Sequence, residues 1–146
     1  MSASPTSVRP THSSRAGRPR SAIRARRRVA SARWRAPPVA AGDAASAGLV
    51  THLVSNATGV AASRITSPTR DSADAARARH IAMYLTHVGF SWSIDRVAAA
   101  FGRHRSTTSA ACQRIEDLRD HPAFDAALDT LEACIRAAPV ALAVAL

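Results

Sequence analysis

The chain has 146 residues and a formal net charge of +10, with 20 basic residues, all of them arginine, against 10 acidic residues. This length is enough for one domain with a core of modest size. No apolar run reaches the roughly 18 residues that a membrane-spanning helix needs, and the two cysteines are not part of a Cys/His cluster that would bind zinc. We therefore expect no membrane partner, a cytoplasmic location and no metal site.

Residues 1–42 form a basic N-terminal segment with ten arginines and no acidic residue. They contain almost no large apolar residue, so they cannot bury enough surface to offset the entropy cost of ordering. We predict a disordered arm that adds non-specific phosphate contacts. Within it, Gly17-Arg18-Pro19 resembles the core of an AT-hook, a segment that lies in the DNA minor groove. The alternative interpretation is low-complexity sequence that follows a start codon placed too early.

The predicted domain covers residues 43–138, and its first half is helical. In chain order, the predicted elements of this half are a helix over about residues 44–58, a short helical turn at 60–65, a loop at 66–71 and a longer helix over about residues 73–88. Asp43 and Ser72 are expected to cap the two long helices with their side-chain oxygens. Gly59 and Gly89 are expected to end them.

The second half contains two short amphipathic helices around a glycine turn, which is the pattern of a helix-turn-helix. Apolar or small residues recur in both helices at spacings of three and four: Ile94, Val97, Ala98 and Phe101, then Thr108, Ala111, Cys112, Ile115 and Leu118. Ser91 or Ser93 is expected to start the first helix. Gly102 provides the turn, and Ser106 is expected to cap a second helix that extends to about Arg119.

A final helix is predicted over about residues 122–137, where it is stopped by Pro139, and residues 139–146 are expected to be a frayed tail. No stretch shows the alternation of a strand. The predicted fold class is therefore all-α, a small helix-turn-helix bundle of five or six helices after a disordered basic arm. Net charges of +4 for residues 43–115 and −4 for residues 116–146 make the domain electrically asymmetric. Its basic half contains the helix-turn-helix, as a phosphate-facing surface requires.

The start of the second helix carries the residues that would recognise DNA. In a helix-turn-helix, the N-terminal residues of the second helix meet base edges in the major groove. The predicted base-reading residues are His104, Arg105, Ser106, Thr107 and Ser109. The predicted backbone and loop contacts are Arg70, Arg77, Arg79, His80 and Arg103. The alternatives are that Ser106 and Thr107 only cap the helix and that Arg77 and Arg79 only form a solvated face.

Two motifs resemble the C-terminal DNA-binding domain of the bacterial replication initiator DnaA. Residues 76–85, ARARHIAMYL, resemble the start of the long helix of that domain. Residues 100–115, AFGRHRSTTSAACQRI, resemble its signature, which in typical members is close to AFGGRDHTTVLHACRKI. The similarity covers about residues 47–120. It implies binding to double-stranded DnaA boxes, with the recognition helix in the major groove and a basic loop in the minor groove.

The signature differs from the family pattern at the positions that meet DNA. Aligned back from Cys112, this sequence has one glycine fewer after Gly102, and the family's Asp-His-Thr-Thr becomes the run of residues 104–107, His-Arg-Ser-Thr. Arg105 thus stands in place of a histidine. Because arginine can bond to O6 and N7 of guanine together, we predict a preferred site that differs from a standard DnaA box by one guanine.

The resemblance also assigns roles to residues of the long helix and of the loop before it. It implies that Arg79 contacts a phosphate and that His80 replaces a polar glutamine. The family's minor-groove arginine corresponds to Ala73, which leaves Arg70 for this role.

The complete absence of lysine means that the sequence has no G-x-x-x-x-G-K-[ST] loop, which full initiators carry in their ATPase domain. We therefore expect a stand-alone DNA-binding domain with no cofactor and no small-molecule substrate. An enzyme is not expected and no catalytic residue is assigned, because the acidic residues form no paired carboxylate motif.

The leading function is DnaA box or origin binding in replication initiation or its regulation. The alternative is a transcriptional or nucleoid-associated regulator that reuses the domain, with a monomer on DNA favoured and the oligomeric state open.

Overall fold

The computed structural model describes residues 38–145, with side chains for residues 38–138, and this range contains six helices and no strand. The helices are α1 (Ala41–Thr58), α2 (Ala62–Ile65), α3 (Ala73–Gly89), α4 (Ile94–Ala100), α5 (Arg105–Leu118) and α6 (Pro122–Ala145). The predicted all-α helix-turn-helix bundle is confirmed. The predicted basic arm, with its AT-hook-like segment, falls mainly on residues 1–37 and lies outside the described residues. None of the helices in the described range combines the length and the apolar character that crossing a membrane requires.

Helix α3 is the centre of the bundle, since α1, α5 and α6 all pack against it. The core contains these buried residues: Val50, Val54, Ile65, Ala78, Ala82, Leu85, Cys112, Ile115, Leu128 and Ile135. Met83, Tyr84 and Thr86 of α3 are buried as well. They are buried because α3 has neighbours on several sides. Helix α3 therefore forms the scaffold on which α5 is held.

The start of α1 differs from the prediction. The helix begins at Ala41, after an Ala40 cap that makes no side-chain hydrogen bond. The prediction that Asp43 is the cap is wrong, because Asp43 lies in the first turn and accepts two hydrogen bonds from Arg96 of α4, at 2.8 and 2.9 Å. A carboxylate is favourable near a helix N-terminus, and the paired bonds from the guanidinium connect α1 to α4. The predicted cap of α3 is confirmed, since Ser72 accepts from the Ala75 N–H at 3.3 Å.

The helix-turn-helix consists of α4, a turn over residues 101–104, and α5. Ser93 caps α4 by accepting from the Arg96 N–H at 3.3 Å. Gly102 has a φ of +59°, the left-handed conformation that a glycine adopts without strain. The prediction that Ser106 caps α5 is wrong, because the helix starts one residue earlier and His104 is its cap residue. The extended His104 places its carbonyl to accept from the Thr108 N–H at 3.0 Å, and this bond begins the helix.

Helix α6 is longer than the sequence indicated. The predicted stop at Pro139 is wrong, and residues 139–145, expected to be a frayed tail, are helical. A proline inside a helix removes one backbone hydrogen bond and its ring crowds the carbonyl four residues earlier, and the helix-favouring alanines and leucines around it offset part of this cost. Cys112 is buried, as the apolar spacing of the second helix-turn-helix helix predicts, whereas Cys134 is exposed.

Candidate nucleic-acid interface

The first turns of α5 expose polar side chains to solvent, while the other face of this helix packs against the bundle. The predicted base-reading residues on this helix, Arg105, Ser106, Thr107 and Ser109, are all exposed. Thr108 is fully buried and its hydroxyl donates to Met83 Sδ of α3 at 3.8 Å. The half-buried His104 lies at the helix start. The structure thus brings together the five predicted base-reading residues at one end of one helix.

Arg105 already has an anionic partner in the free protein. Its Nε lies 3.0 Å from Oδ1 of Asp95 on α4, and the two side chains are 72% and 69% exposed. Exposed ion pairs contribute only about 0–1 kcal/mol, because water screens the charges and ordering two side chains costs entropy. The guanidinium can therefore leave Asp95 for another acceptor at little cost.

The predicted backbone contacts differ in exposure. Arg70, in the loop before α3, and Arg77, on the first half of α3, are exposed, whereas His80 and Arg103 are half-buried and Arg79 is buried. The Arg77 guanidinium lies over the ring of Phe124, 5.3 Å from its centroid. Arg70 is thus exposed, as a loop contact with DNA requires.

Arg79 and Arg103 bond to main-chain carbonyls. Arg79 is 9% exposed, and its Nε and Nη2 donate to the carbonyls of Ile65 and Arg64 at 2.6 and 3.2 Å. Arg103 donates from Nη2 to the Ser67 carbonyl. Burial and the neighbouring charge of Arg103 lower the pKa of Arg79. Both side chains line a cavity of about 220 Å³ together with Thr51, Phe101 and small residues of α1.

His80 reports the positive potential of this region. Its pKa is lowered from 6.5, first by burial and then by the charges of Arg114, Arg79 and Arg103. Sequence reasoning missed Arg114, which is exposed on α5. The signal was available, because Arg114 follows Thr107 by seven residues and so lies on the same side of the helix.

The acidic residues gather at the other end of α5 and along α6. Arg119 bonds to Asp125, Asp129 and Glu132 of α6 and donates to the Tyr84 hydroxyl at 3.0 Å. That hydroxyl lies 2.6 Å from Oε2 of Glu116, and burial followed by this carboxylate raises the pKa of Tyr84 to about 12. Arg136 also bonds to Glu132, so two cations face four carboxylates where α3, α5 and α6 meet, and this cluster keeps a net negative charge.

Metal chemistry finds no support in the part of the chain that the structure describes. No group of three or more His, Cys, Asp or Glu side chains in that part could hold a metal ion. The pKa of the buried Cys112 thiol is raised by burial to about 11, so the thiol stays protonated and inert. The side chains at this surface provide hydrogen-bonding groups and positive charge.

The structure has a short helix, a glycine turn and then a well-packed helix whose first residues are polar and flanked by arginines. This arrangement defines a helix-turn-helix protein. Residues 48–115 match the family model described as bacterial dnaA protein helix-turn-helix. The resemblance of the two motifs is thereby confirmed. No curated protein matches the chain.

One solved structure, described as the crystal structure of a DNA replication initiation factor, is similar to this protein. The two chains are 26% identical with a TM-score of 0.57. The match covers 64% of this chain and 29% of that chain, so this chain corresponds to less than a third of the length of that factor.

Proposed function

We propose that this protein binds double-stranded DNA sequence-specifically, at sites related to DnaA boxes, through the first turns of α5. The observation that carries the proposal is the exposure of Arg105, Ser106, Thr107 and Ser109 beside a helix face that is fully packed. A helix held in this way can enter the major groove without rearrangement, and its side chains reach base edges.

The proposed roles follow from the chemistry of each side chain. Arg105 exchanges its bond to Asp95 for a paired bond to O6 and N7 of a guanine. The hydroxyls of Ser106, Thr107 and Ser109 donate to or accept from neighbouring bases, and His104 lies at the edge of this set. Arg70 reaches the minor groove from its loop, while Arg77 and Arg114 add positive charge toward the phosphates. His80, whose pKa is lowered, contributes as a neutral hydrogen-bonding group.

The similarity to a replication initiation factor supports a role in replication initiation or its regulation. We propose that the protein acts in the cytoplasm on the chromosome, as one domain per site and without nucleotide, since the sequence has no lysine for a phosphate-binding loop of the Walker type. No catalytic step is proposed.

The proposal is tested by selecting bound duplexes from a random pool and measuring affinity for the selected site. Arg105→Ala should lose about 1–3 kcal/mol of binding free energy on that site and lose preference for guanine at one position. Arg136→Ala is the matched control, because Arg136 is 64% exposed and pairs with Glu132 in the acidic region. It should bind like the wild type. A selected pool with no enriched sequence would contradict the proposal.

Equal losses for Arg105→Ala on the selected site and on its single-base variant would contradict the role of Arg105 alone. Arg105 would then be a phosphate contact, and the hydroxyls of Ser106 and Thr107 would remain as the base-reading groups.

A further inference from the structure

Two arginines from separate elements converge on the short stretch of main chain where α2 ends. Arg79 of α3 bonds to the carbonyls of residues 64 and 65, and Arg103 of the helix-turn-helix turn bonds to the carbonyl of residue 67. We call these two side chains the carbonyl clamp. The clamp acts at the start of the loop over residues 66–72, which carries Arg70.

The carbonyl clamp provides hydrogen-bond donors to the main chain at the end of α2. Helix α2 has four residues, so its last carbonyls have no partner within the helix, and the Arg64 carbonyl has only a long bond from the Ser67 N–H at 3.4 Å outside it. Charged donors to such carbonyls make shorter and stronger bonds than neutral ones. The cavity lining around the two guanidinium groups contains no acidic residue. The carbonyl bonds of the two side chains, together with the charge of Asp71 near Arg79, therefore hold the two like charges beside each other.

Arg103 also has a particular place in the chain. It lies two residues before Arg105, in the turn that begins α5, and its side chain spans to a residue 36 positions earlier. A movement of the loop is thus transmitted to the start of the recognition helix through one side chain. The rest of the loop is held internally, since Arg64 bonds to Asp71 at 2.7 Å and to the Ser72 hydroxyl at 2.8 Å.

We propose that Arg103 is a positioning residue that fixes the loop carrying Arg70 relative to the start of α5 carrying Arg105. The two DNA-contacting elements are thereby held at one separation, so that the minor-groove and major-groove contacts form together. This inference rests on the proposed function and replaces the phosphate contact expected for Arg103 from the sequence.

The test is a double-mutant cycle on the selected duplex with Arg103→Ala, Arg70→Ala and the pair. If Arg103 positions the loop, Arg103→Ala should lower the affinity by at least the factor measured for Arg70→Ala. The double variant should then show no larger loss of affinity than Arg103→Ala alone. A direct phosphate contact predicts that the two losses multiply. It also predicts that Arg103→Ala lowers the slope of log K against log salt by about 0.9 in an Arg70→Ala background. Either result would overturn the proposal.

A second measurement needs no DNA. Amide hydrogen exchange of residues 66–72 in the free protein should be faster in Arg103→Ala than in the wild type, because the loop loses its anchor. Exchange should be unchanged in Arg105→Ala, which removes a nearby guanidinium with no bond to the loop. Unchanged exchange in Arg103→Ala would overturn the proposal. If that variant fails to fold, Arg103→Met replaces it, because methionine keeps the aliphatic stem and removes the hydrogen-bond donors and the charge. The same measurements are then made on Arg103→Met.

The two proposals fail in different ways. If the wild type binds no duplex specifically, the proposed function is wrong, while the exchange result still decides whether Arg103 holds the loop. If the wild type binds its site and the Arg70 and Arg103 losses multiply, only the positioning role is wrong.

Discussion

The arginines near the helix-turn-helix have the same charge but different partners. Arg105 faces an exposed carboxylate, Arg77 an aromatic ring, and Arg79 and Arg103 main-chain carbonyls. A partner that is exposed and weakly held can be exchanged for DNA, whereas buried and half-buried bonds to main-chain carbonyls cannot be given up without loosening the main chain. Only part of the positive charge of the sequence is therefore available to a duplex.

His80 gives a direct measure of the positive potential at this surface. Its pKa is lowered from 6.5, with burial as the largest cause and Arg114 as the next. We expect an NMR titration of the free protein to give a value below 6.5. In Arg114→Ala the pKa should rise but stay below 6.5, because burial remains. A value above 6.5 in the wild type would contradict the half-buried environment of this ring.

The same histidine should make stability depend on pH. Because the folded state favours neutral His80, the unfolded state binds more protons, and the stability gained from this group is present above pH 6.5. It is lost as the pH falls through the folded pKa. Thermal unfolding at pH 7.5 and 5.5 should therefore show a smaller acid-induced drop in Tm for His80→Gln than for the wild type. Equal drops would mean that other groups cause the dependence.

At the scale of elements, the contact between α3 and α6 leaves little space at Gly89. A Cβ added there would lie 2.8 Å from Cγ2 of Ile135, a residue that is 1% exposed. Gly89→Ala should gain roughly 1 kcal/mol of helix propensity, but overpacking costs about 1–3 kcal/mol, so we expect net destabilisation or at best no gain. Gly48→Ala in α1 is the control, because an added Cβ there meets nothing within 4 Å.

Chemical denaturation of both variants would check this expectation. Gly48→Ala should raise the free energy of unfolding by about 0.5–1 kcal/mol. A similar gain for Gly89→Ala would show that α6 moves freely away from α3.

The accuracy of the sequence predictions varied between elements for physical reasons. Ser72 and Ser93 cap their helices as predicted, since a cap of this kind depends only on residues three positions apart. Asp43 and Ser106 do not cap, because the true helix starts were set by contacts with Arg96 and by the extended His104. Local patterns therefore located the helices, whereas their first residues depended on tertiary contacts.

For the candidate site too, some features could be predicted from the sequence and others could not. The exposed residues of α5 follow directly from helical spacing, because burial of Thr108 and Ile115 turns Arg105, Ser106 and Thr107 outward. The bonds of Arg79 could not be predicted, since their carbonyl acceptors lie 14 and 15 residues earlier and are brought near only by the fold.

At the scale of the whole molecule, the N-terminal segment should dominate the salt dependence of DNA binding. Residues 1–37 contain ten arginines and no acidic residue. Each phosphate contact contributes about 0.9 to the slope of log K against log salt. Removing these residues, which leaves α1 intact, should lower the slope by several units and leave the selected site unchanged. A loss of site preference on truncation would instead favour base recognition by the AT-hook-like segment.

Nucleotide should have no effect on binding by the whole chain. The sequence offers no lysine for a Walker-type loop, so labelled duplex should bind with the same affinity with and without ATP and Mg²⁺. A tenfold change in affinity with ATP would contradict this expectation, and ADP at the same concentration serves as the control for ionic effects.

The carboxylates around Arg119 limit the directions from which a duplex can approach the folded domain. A DNA molecule that approaches the junction of α3, α5 and α6 meets Asp125, Asp129, Glu116 and Glu132, and the guanidinium groups of Arg119 and Arg136 are already bonded among them. Because four carboxylates outnumber these two cations, the junction repels a phosphate backbone. We therefore expect a bound duplex to lie on the side of Arg105 and away from α6.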